Sequence, residues 1–152
     1  MVIGVFGVNC TGKSTIVNEL SMKAGAIVYT GKDYLRLAKS EAEAKTKFVE
    51  LLSKNEDSAE NLIYVISEKE HLSFLPDKAV RILITADIKT IKERFAQRMN
   101  GVLPPPIATM LENKYDTFLN ERYDMIIDTS SENTSDSYQM ILNLLSCKKE
   151  LG

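Results

Sequence analysis

Five short apolar runs divide the chain, and between them the apolar positions recur at helical spacing. Val2-Ile3-Gly4-Val5-Phe6, Ala26-Ile27-Val28-Tyr29-Thr30, Leu62-Ile63-Tyr64-Val65-Ile66, Val80-Arg81-Ile82-Leu83-Ile84-Thr85 and Met125-Ile126-Ile127 read as buried strands. Ile16, Val17 and Leu20 mark the inner face of a first helix, which Gly25 ends as a C-cap. Residues Leu35 to Asn55, rich in Ala, Glu, Lys and Leu, predict a second helix, broken by Asn55-Glu56-Asp57-Ser58. Asp87 is placed to cap a third helix whose inner face is Ile88, Ile91, Phe95 and Met99. Pro104-Pro105-Pro106 opens a fourth, with Ile107, Met110, Leu111 and Phe118 on its apolar side. A fifth begins near Ser135 and sets Tyr138, Ile141, Leu142 and Leu145 at i, i+3, i+4 and i+7. Short apolar strands separated by helices predict an α/β protein with three α/β/α layers around a five-stranded parallel sheet. Ligands of such sheets bind beyond the carboxyl ends of the strands, so the residues just after each strand are where chemistry is to be sought.

The segment after the first strand carries the strongest chemical signal. Gly7-Val8-Asn9-Cys10-Thr11-Gly12-Lys13-Ser14-Thr15 satisfies the phosphate-loop pattern G-x-x-x-x-G-K-[ST] between a strand and a helix, as the pattern requires. Gly7 and Gly12 allow a tight turn. The backbone N–H groups from Asn9 through Thr15 then meet phosphate oxygens at the positive end of the helix dipole. Lys13 brings a mobile ammonium to the β- and γ-phosphates, and the Ser14 hydroxyl is a ligand for Mg²⁺. A nucleoside triphosphate, taken to be ATP, is therefore the expected ligand, with Mg²⁺ as its counterion. Cys10 reads as a small loop filler, although a thiol near a helix N-terminus is also open to a lowered pKa.

Two further strand ends add charged groups. Thr30-Gly31-Lys32-Asp33-Tyr34-Leu35-Arg36 follows the second strand, and Ser67-Glu68-Lys69-Glu70 follows the third. A phosphotransferase needs a carboxylate to accept or orient the proton of an attacking hydroxyl, and cations to hold the acceptor and offset charge on the transferred group. Asp33 with Arg36 fits the acceptor half, with Asp33 as base or positioning group. The alternative is that Asp33 caps a helix starting near Tyr34 and that Arg36 is a solvated charge. Glu68 and Glu70 compete for the strand-end carboxylate. Arg94 and Arg98 lie four apart on one helix face before Asn100-Gly101 and the proline run, which suits a lid over residues 94–106 that clamps phosphates or stacks on adenine. The alternative is an ordinary pair of surface arginines.

Length and composition narrow the setting. A chain of 152 residues is one domain with room for a real core. A net charge of -2 argues against a general nucleic-acid binder, and no apolar run is long enough to cross a membrane. The two cysteines suggest neither a disulfide framework nor a metal site, and the first strand begins at once, so the cytoplasm is the expected compartment. The expected partner is a small-molecule acceptor, and the expected state a monomer or weak dimer.

Taken together, these segments resemble the phosphate-loop nucleotide and small-metabolite kinases, the group of adenylate, cytidylate and shikimate kinases. Thr30-Gly31-Lys32-Asp33-Tyr34-Leu35-Arg36 looks like the T-G-x-x-Y-R segment of cytidylate kinases with one extra residue, and Leu75-Pro76-Asp77 like the L-P-D that precedes their next strand. Arg94-Phe95-Ala96-Gln97-Arg98 is similar to the R-x-x-x-R opening of the adenylate kinase lid, which implies Arg94 on adenine and Arg98 on phosphates. Tyr123-Asp124-Met125-Ile126-Ile127-Asp128-Thr129-Ser130 resembles the last strand of the group, whose following loop runs beside the base. The resemblance implies an ATP-dependent kinase acting on a nucleoside monophosphate or a similar small acceptor, or on a metabolite of the shikimate or gluconate type.

The chain also departs from these relatives. Ser67-Glu68-Lys69-Glu70-His71-Leu72 stands where cytidylate kinases carry G-R-D-I-G-T, and the D-x-D and G-G-G motifs of shikimate kinases are missing. A nucleotide-binding module without phosphotransfer is the reading from another class. Asn113-Lys114-Tyr115-Asp116 satisfies the guanine-reading N-K-x-D of GTPases but falls inside a helical pattern, with no Asp-x-x-Gly anywhere, and is read as coincidence. His71, the one histidine, receives no role.

Overall fold

The computed structural model describes residues 1–130 and 134–151. Five strands, β1 (Val2–Phe6), β2 (Ile27–Thr30), β3 (Leu62–Ile66), β4 (Val80–Thr85) and β5 (Met125–Asp128), form one sheet in the order β2-β3-β1-β4-β5, every pair parallel. β1 and β3 are buried at all five positions each, which is why both sequences are apolar without alternation. β2 lies at an edge, and its Ile27 is half exposed.

The two faces of the sheet take alternate residues. Ile3, Val5, Ile63, Val65, Ile82 and Ile84 point to one side, where α1 (Lys13–Ala24) packs Ile16, Val17 and Leu20 and α5 (Thr134–Leu151) packs Tyr138, Ile141 and Leu145. Val2, Phe6, Leu62, Tyr64 and Ile66 point to the other, against Ala44, Phe48 and Leu52 of α2 (Glu41–Asn55). That stripe at i, i+4 and i+8 is the buried edge of an amphipathic helix. Fully burying side chains of this size contributes roughly 1.5–3 kcal/mol each, enough to fix which face each strand residue takes. The remaining helices, α3 (Ile88–Arg98) and α4 (Pro105–Lys114), pack beyond the strand ends, where Ile91 and Leu111 meet Ala86 and the loop residue Cys10.

Three expectations change. The helix predicted from Leu35 is two pieces: a 3₁₀ segment Asp33–Leu37, then α2, whose N-cap Ser40 accepts a hydrogen bond from Glu43 N–H at 3.2 Å. Composition favours helix throughout, but Tyr34 turns inward to stack on Phe48 with ring centroids 5.5 Å apart, and Ala38 is extended. Phe118 lies past the end of α4 and packs instead on Phe6, so it belongs to the α2 face. Met99 is the exposed C-cap of α3 rather than part of its buried face. The caps at Asp87 and Gly25 stand as expected: Asp87 Oδ1 accepts from Thr90 N–H at 2.7 Å, and Gly25 is left-handed.

Candidate active site

The phosphate loop leaves the central strand β1 and is shaped by what lies behind it. A Cβ on Gly7 would sit 2.3 Å from the Ile84 carbonyl oxygen, so only glycine lets the chain cross the end of β4 there. Cys10 and Gly12 are both left-handed, with φ of 65° and 95°. The carbonyls of Gly7 and Val8 accept from Lys13 Nζ at 2.6 and 2.7 Å, and Val8 also accepts from the Thr11 hydroxyl at 2.9 Å. The Cys10 carbonyl accepts from Arg94 at 3.1 Å, and the Thr11 carbonyl from the Thr129 hydroxyl. Among the described residues no acceptor meets the N–H groups of Asn9, Cys10, Thr11 or Gly12. With its carbonyls held by side chains, the loop presents N–H groups, which join the unpaired donors of the first turn of α1. This donor set fits an anion of the triphosphate class.

Lys13 is buried, at 7% exposure. Burial pulls its ammonium down to about 8, which the neighbouring Cys10 thiol opposes and the positive charge of Arg98 reinforces. Arg98 ends α3, is exposed, and has no hydrogen bond or ion pair among the described residues. Two cations thus lie within electrostatic range of each other at the loop, and neither has a carboxylate partner among the described residues. Ser14 and Thr15 are exposed at the start of α1. Among the described residues no group of three or more His, Cys, Asp and Glu side chains is set to hold a metal. The Ser14 hydroxyl would be the protein's ligand for a Mg²⁺ ion bound with the phosphates, which would supply charge neutralisation there.

The Lys13 value sets a pH dependence of two opposite signs. Phosphate oxygens favour the ammonium, so above pH 8 binding must take up a proton that the free protein has lost. ATP–Mg²⁺ affinity, followed by calorimetric titration, is expected to weaken roughly twentyfold from pH 7.5 to 9.5. A flat profile would contradict the placement of Lys13 on the phosphates. The unfolded chain keeps its ordinary lysine value of 10.5, so this residue's unfavourable contribution to stability is full below pH 8 and fades as pH rises toward 10.5. The unliganded protein gains stability from this group over that range.

Arg94 is held by hydrogen bonds that its spacing did not announce. Nη1 donates to the Cys10 carbonyl and, at 3.0 Å, to Thr129 Oγ1, while Nη2 donates to the Thr129 carbonyl at 2.6 Å. Thr129 N–H is in turn fixed to the Thr85 carbonyl at 2.8 Å. The guanidinium therefore ties the loop to Thr129 after β5 and, through Thr129, to the end of β4. Thr129, 6% exposed, is the residue that sequence reasoning passed over; a threonine directly after the last strand was its one signal. Arg94→Ala would leave the Cys10 and Thr129 carbonyls without this donor and should cost about 1–3 kcal/mol in thermal or denaturant unfolding. Arg94→Lys should recover little of it, because one ammonium cannot reproduce the in-plane fork. The base-side loop implied by the family resemblance continues into residues 131–133, outside the described residues.

Asp33 and Arg36 stand together, Oδ2 to Nη2 at 3.9 Å, in the 3₁₀ segment after β2. Asp33 Oδ2 also accepts from Thr30 N–H at 2.9 Å, which closes the turn, and Arg36 is largely exposed. The Tyr64 hydroxyl donates to the Gly31 carbonyl at 2.8 Å and is held well above the usual tyrosine range by burial and then by Tyr34, Glu68 and Asp33. The ends of β2 and β3 thus bring Asp33 and Glu68 to one corner. Of the strand-end carboxylates, Glu68 alone lines a cleft of about 180 Å³ beside the loop, shared with Asn9, Ser67, Met110 and Lys114. A second cavity of about 150 Å³ lies behind the loop, between the end of β4 and residues 115–126. Lys114 lines the first cavity and Asp116 the second, so the N-K-x-D match is split between two places and forms no base pocket.

No protein-family model matches the sequence, and no curated protein does. Solved structures do match. The YorR protein of Bacillus subtilis, solved in complex with phosphorylated GDP, is 22% identical over 99% of this chain and 98% of its own, with a TM-score of 0.67. A gluconokinase from Sinorhizobium meliloti 1021 is 13% identical over 99% and 94%, with a TM-score of 0.63. Shikimate kinase from Aquifex aeolicus vf5 is 17% identical over the whole of both chains, with a TM-score of 0.56. With the loop after the central strand, the helices on both faces and the helix pair beyond the strand ends, the chain has the fold of the phosphate-loop kinases.

Proposed function

We propose that this protein transfers the γ-phosphoryl group of ATP to a small acceptor, a nucleoside monophosphate or a hydroxyl-bearing metabolite, bound in the cleft between Asn9 and Glu68. The observation that carries the reading is that cleft: it adjoins the phosphate loop and is lined by a carboxylate and an ammonium, Glu68 and Lys114. A site that only stored a nucleotide would need the loop but not a second polar cleft at its edge. Lys114 suits an acceptor that is itself anionic, as nucleoside monophosphates and sugar acids both are. The solved relatives support both kinds, one binding phosphorylated GDP and others named for gluconate and shikimate. Lys13 and Arg98 would offset charge on the transferred group, Ser14 would hold Mg²⁺, and Asp33 with Arg36 would border the acceptor from the β2 side.

ADP release by the purified protein, measured across nucleoside monophosphates, nucleosides, D-gluconate and shikimate, tests this. Stimulation by an acceptor is the expected result. A protein that binds ATP–Mg²⁺ yet neither transfers nor hydrolyses it is a nucleotide-binding module instead.

A further inference from the structure

His71 is the one histidine of the chain, and it is buried at 6% exposure inside an aromatic cluster. Its ring stacks on Phe74 at 5.8 Å and meets Tyr34 edge-on at 6.1 Å. Nδ1 is buried with no hydrogen-bond partner. A proton there would be left without an acceptor, so the tautomer that fits carries it on Nε2. Nε2 faces Glu68 Oε2 at 3.7 Å. Glu68 is itself 59% exposed and lines the cleft beside Asn9 of the phosphate loop. The 3.7 Å contact is slightly longer than a hydrogen bond, as such contacts often are before substrate closes a site, and the exposed carboxylate has room to tighten it. A buried imidazole thus stands behind an exposed carboxylate that lines the cleft.

This arrangement has a chemical meaning. An acceptor phosphate presents ionised oxygen to the γ-phosphorus, and a carboxylate beside it only repels. An acceptor hydroxyl must lose a proton, and a carboxylate held in one orientation is what receives it. We propose that His71 positions Glu68 to take the proton of a hydroxyl-bearing acceptor, which makes the preferred substrates small anionic alcohols rather than nucleoside monophosphates. In the step, the acceptor oxygen bonds to the γ-phosphorus as the bond to the β-bridging oxygen breaks. ADP leaves, and the hydroxyl proton passes to Glu68 and then to water. Lys114, lining the same cleft, meets the acceptor's own negative charge. The groups around the pair are Tyr34, Tyr64 and Phe74 against the imidazole, and Tyr64 and Lys114 near the carboxylate.

This inference rests on the phosphotransferase reading, and its test separates the two. ATP hydrolysis without acceptor, water serving as the hydroxyl, is measured beside transfer to D-gluconate, shikimate and CMP. Glu68→Gln should lower both activities by about a hundredfold or more, within the range of general-base loss, with ATP–Mg²⁺ affinity unchanged. His71→Phe keeps a ring in the cluster and removes the donor; it should lower kcat by about tenfold or more at unaltered KM for ATP. His71→Gln, which returns an N–H near the Nε2 position, should recover most of that loss and also shows whether the ring itself is needed for folding. The double variant should be no slower than Glu68→Gln alone, because His71 acts through Glu68. Full activity of Glu68→Gln, additive losses in the double variant, or transfer to CMP and to neither alcohol would overturn the inference while leaving a kinase. Wild-type protein with neither hydrolysis nor transfer would overturn both.

Discussion

Lys13→Met is expected to abolish ATP–Mg²⁺ binding while making the unliganded protein more stable. The ammonium is buried at 7% exposure and its pKa falls from 10.5 to about 8, mainly because burial disfavours the charge. At 1.36 kcal/mol per pKa unit, the charged form is disfavoured by about 3 kcal/mol in the fold at neutral pH. Its bonds to the Gly7 and Val8 carbonyls return part of this. Methionine has a similar reach and no charge to desolvate, so a net gain of about 1–2 kcal/mol is expected in denaturant unfolding. Binding should fall by more than a hundredfold, because the phosphates lose the ammonium that meets them at the loop. A stabilised variant that still binds ATP would place the triphosphate elsewhere. A strongly destabilised one would show that Lys13 holds the loop together more than burial of its charge opposes folding.

Arg98→Ala should lower kcat by about a hundredfold or more with almost no effect on stability. The side chain is exposed and unpaired among the described residues, so folding depends little on it and a change within about 0.5 kcal/mol is expected. Its charge nevertheless reaches Lys13, so it lies within electrostatic range of the loop lysine. A cation that meets the phosphoryl group only as charge develops contributes to the barrier and little to ground-state binding. Two accompanying observations are expected. Without Arg98 the Lys13 ammonium loses a repulsive neighbour, so the fall in ATP affinity with pH should begin above the wild-type value of about 8. Hydrogen exchange across residues 98–106, where the left-handed Asn100 and Gly101 end α3, should slow when nucleotide binds, as a lid in this segment requires. Unaltered turnover together with exchange indifferent to nucleotide would return Arg98 to the role of a solvated helix charge.

Much of the architecture follows from local patterns. β1 and β3 are wholly buried, which is why both read as continuous apolar runs, and they pair in parallel from Val2 opposite Leu62 to Phe6 opposite Ile66. The phosphate-loop pattern is legible within the consecutive residues Gly7 to Thr15, although the need for glycine at position 7 comes from the Ile84 carbonyl of β4. Errors fell where tertiary packing overrides propensity. Residues 35–55 are helix formers throughout, yet Tyr34 is drawn into the aromatic cluster and Ser40 restarts the helix. Phe118 follows the end of α4 and packs on Phe6, a residue distant in sequence on the same face of the sheet.

By itself the sequence determined the layered α/β class, the position of every strand and the segment that carries the phosphate-loop pattern, because each is written in consecutive residues. What the side chains around that segment do was decided only by the folded chain. Arg94 and Arg98 are equivalent by spacing, but one is fastened to Cys10 and Thr129 and the other is unpaired near Lys13, a distinction set by the end of β5, 35 residues downstream of Arg94. Asp33, Glu68 and Glu70 are equal as strand-end carboxylates until α4 packs beyond the sheet and leaves a cleft that Glu68 alone lines. His71 carries no pattern at all; its place behind Glu68 comes from burial among rings contributed by separate elements. Charge, burial and proton position at this site are sums over distant parts of the chain, and no window of sequence contains them.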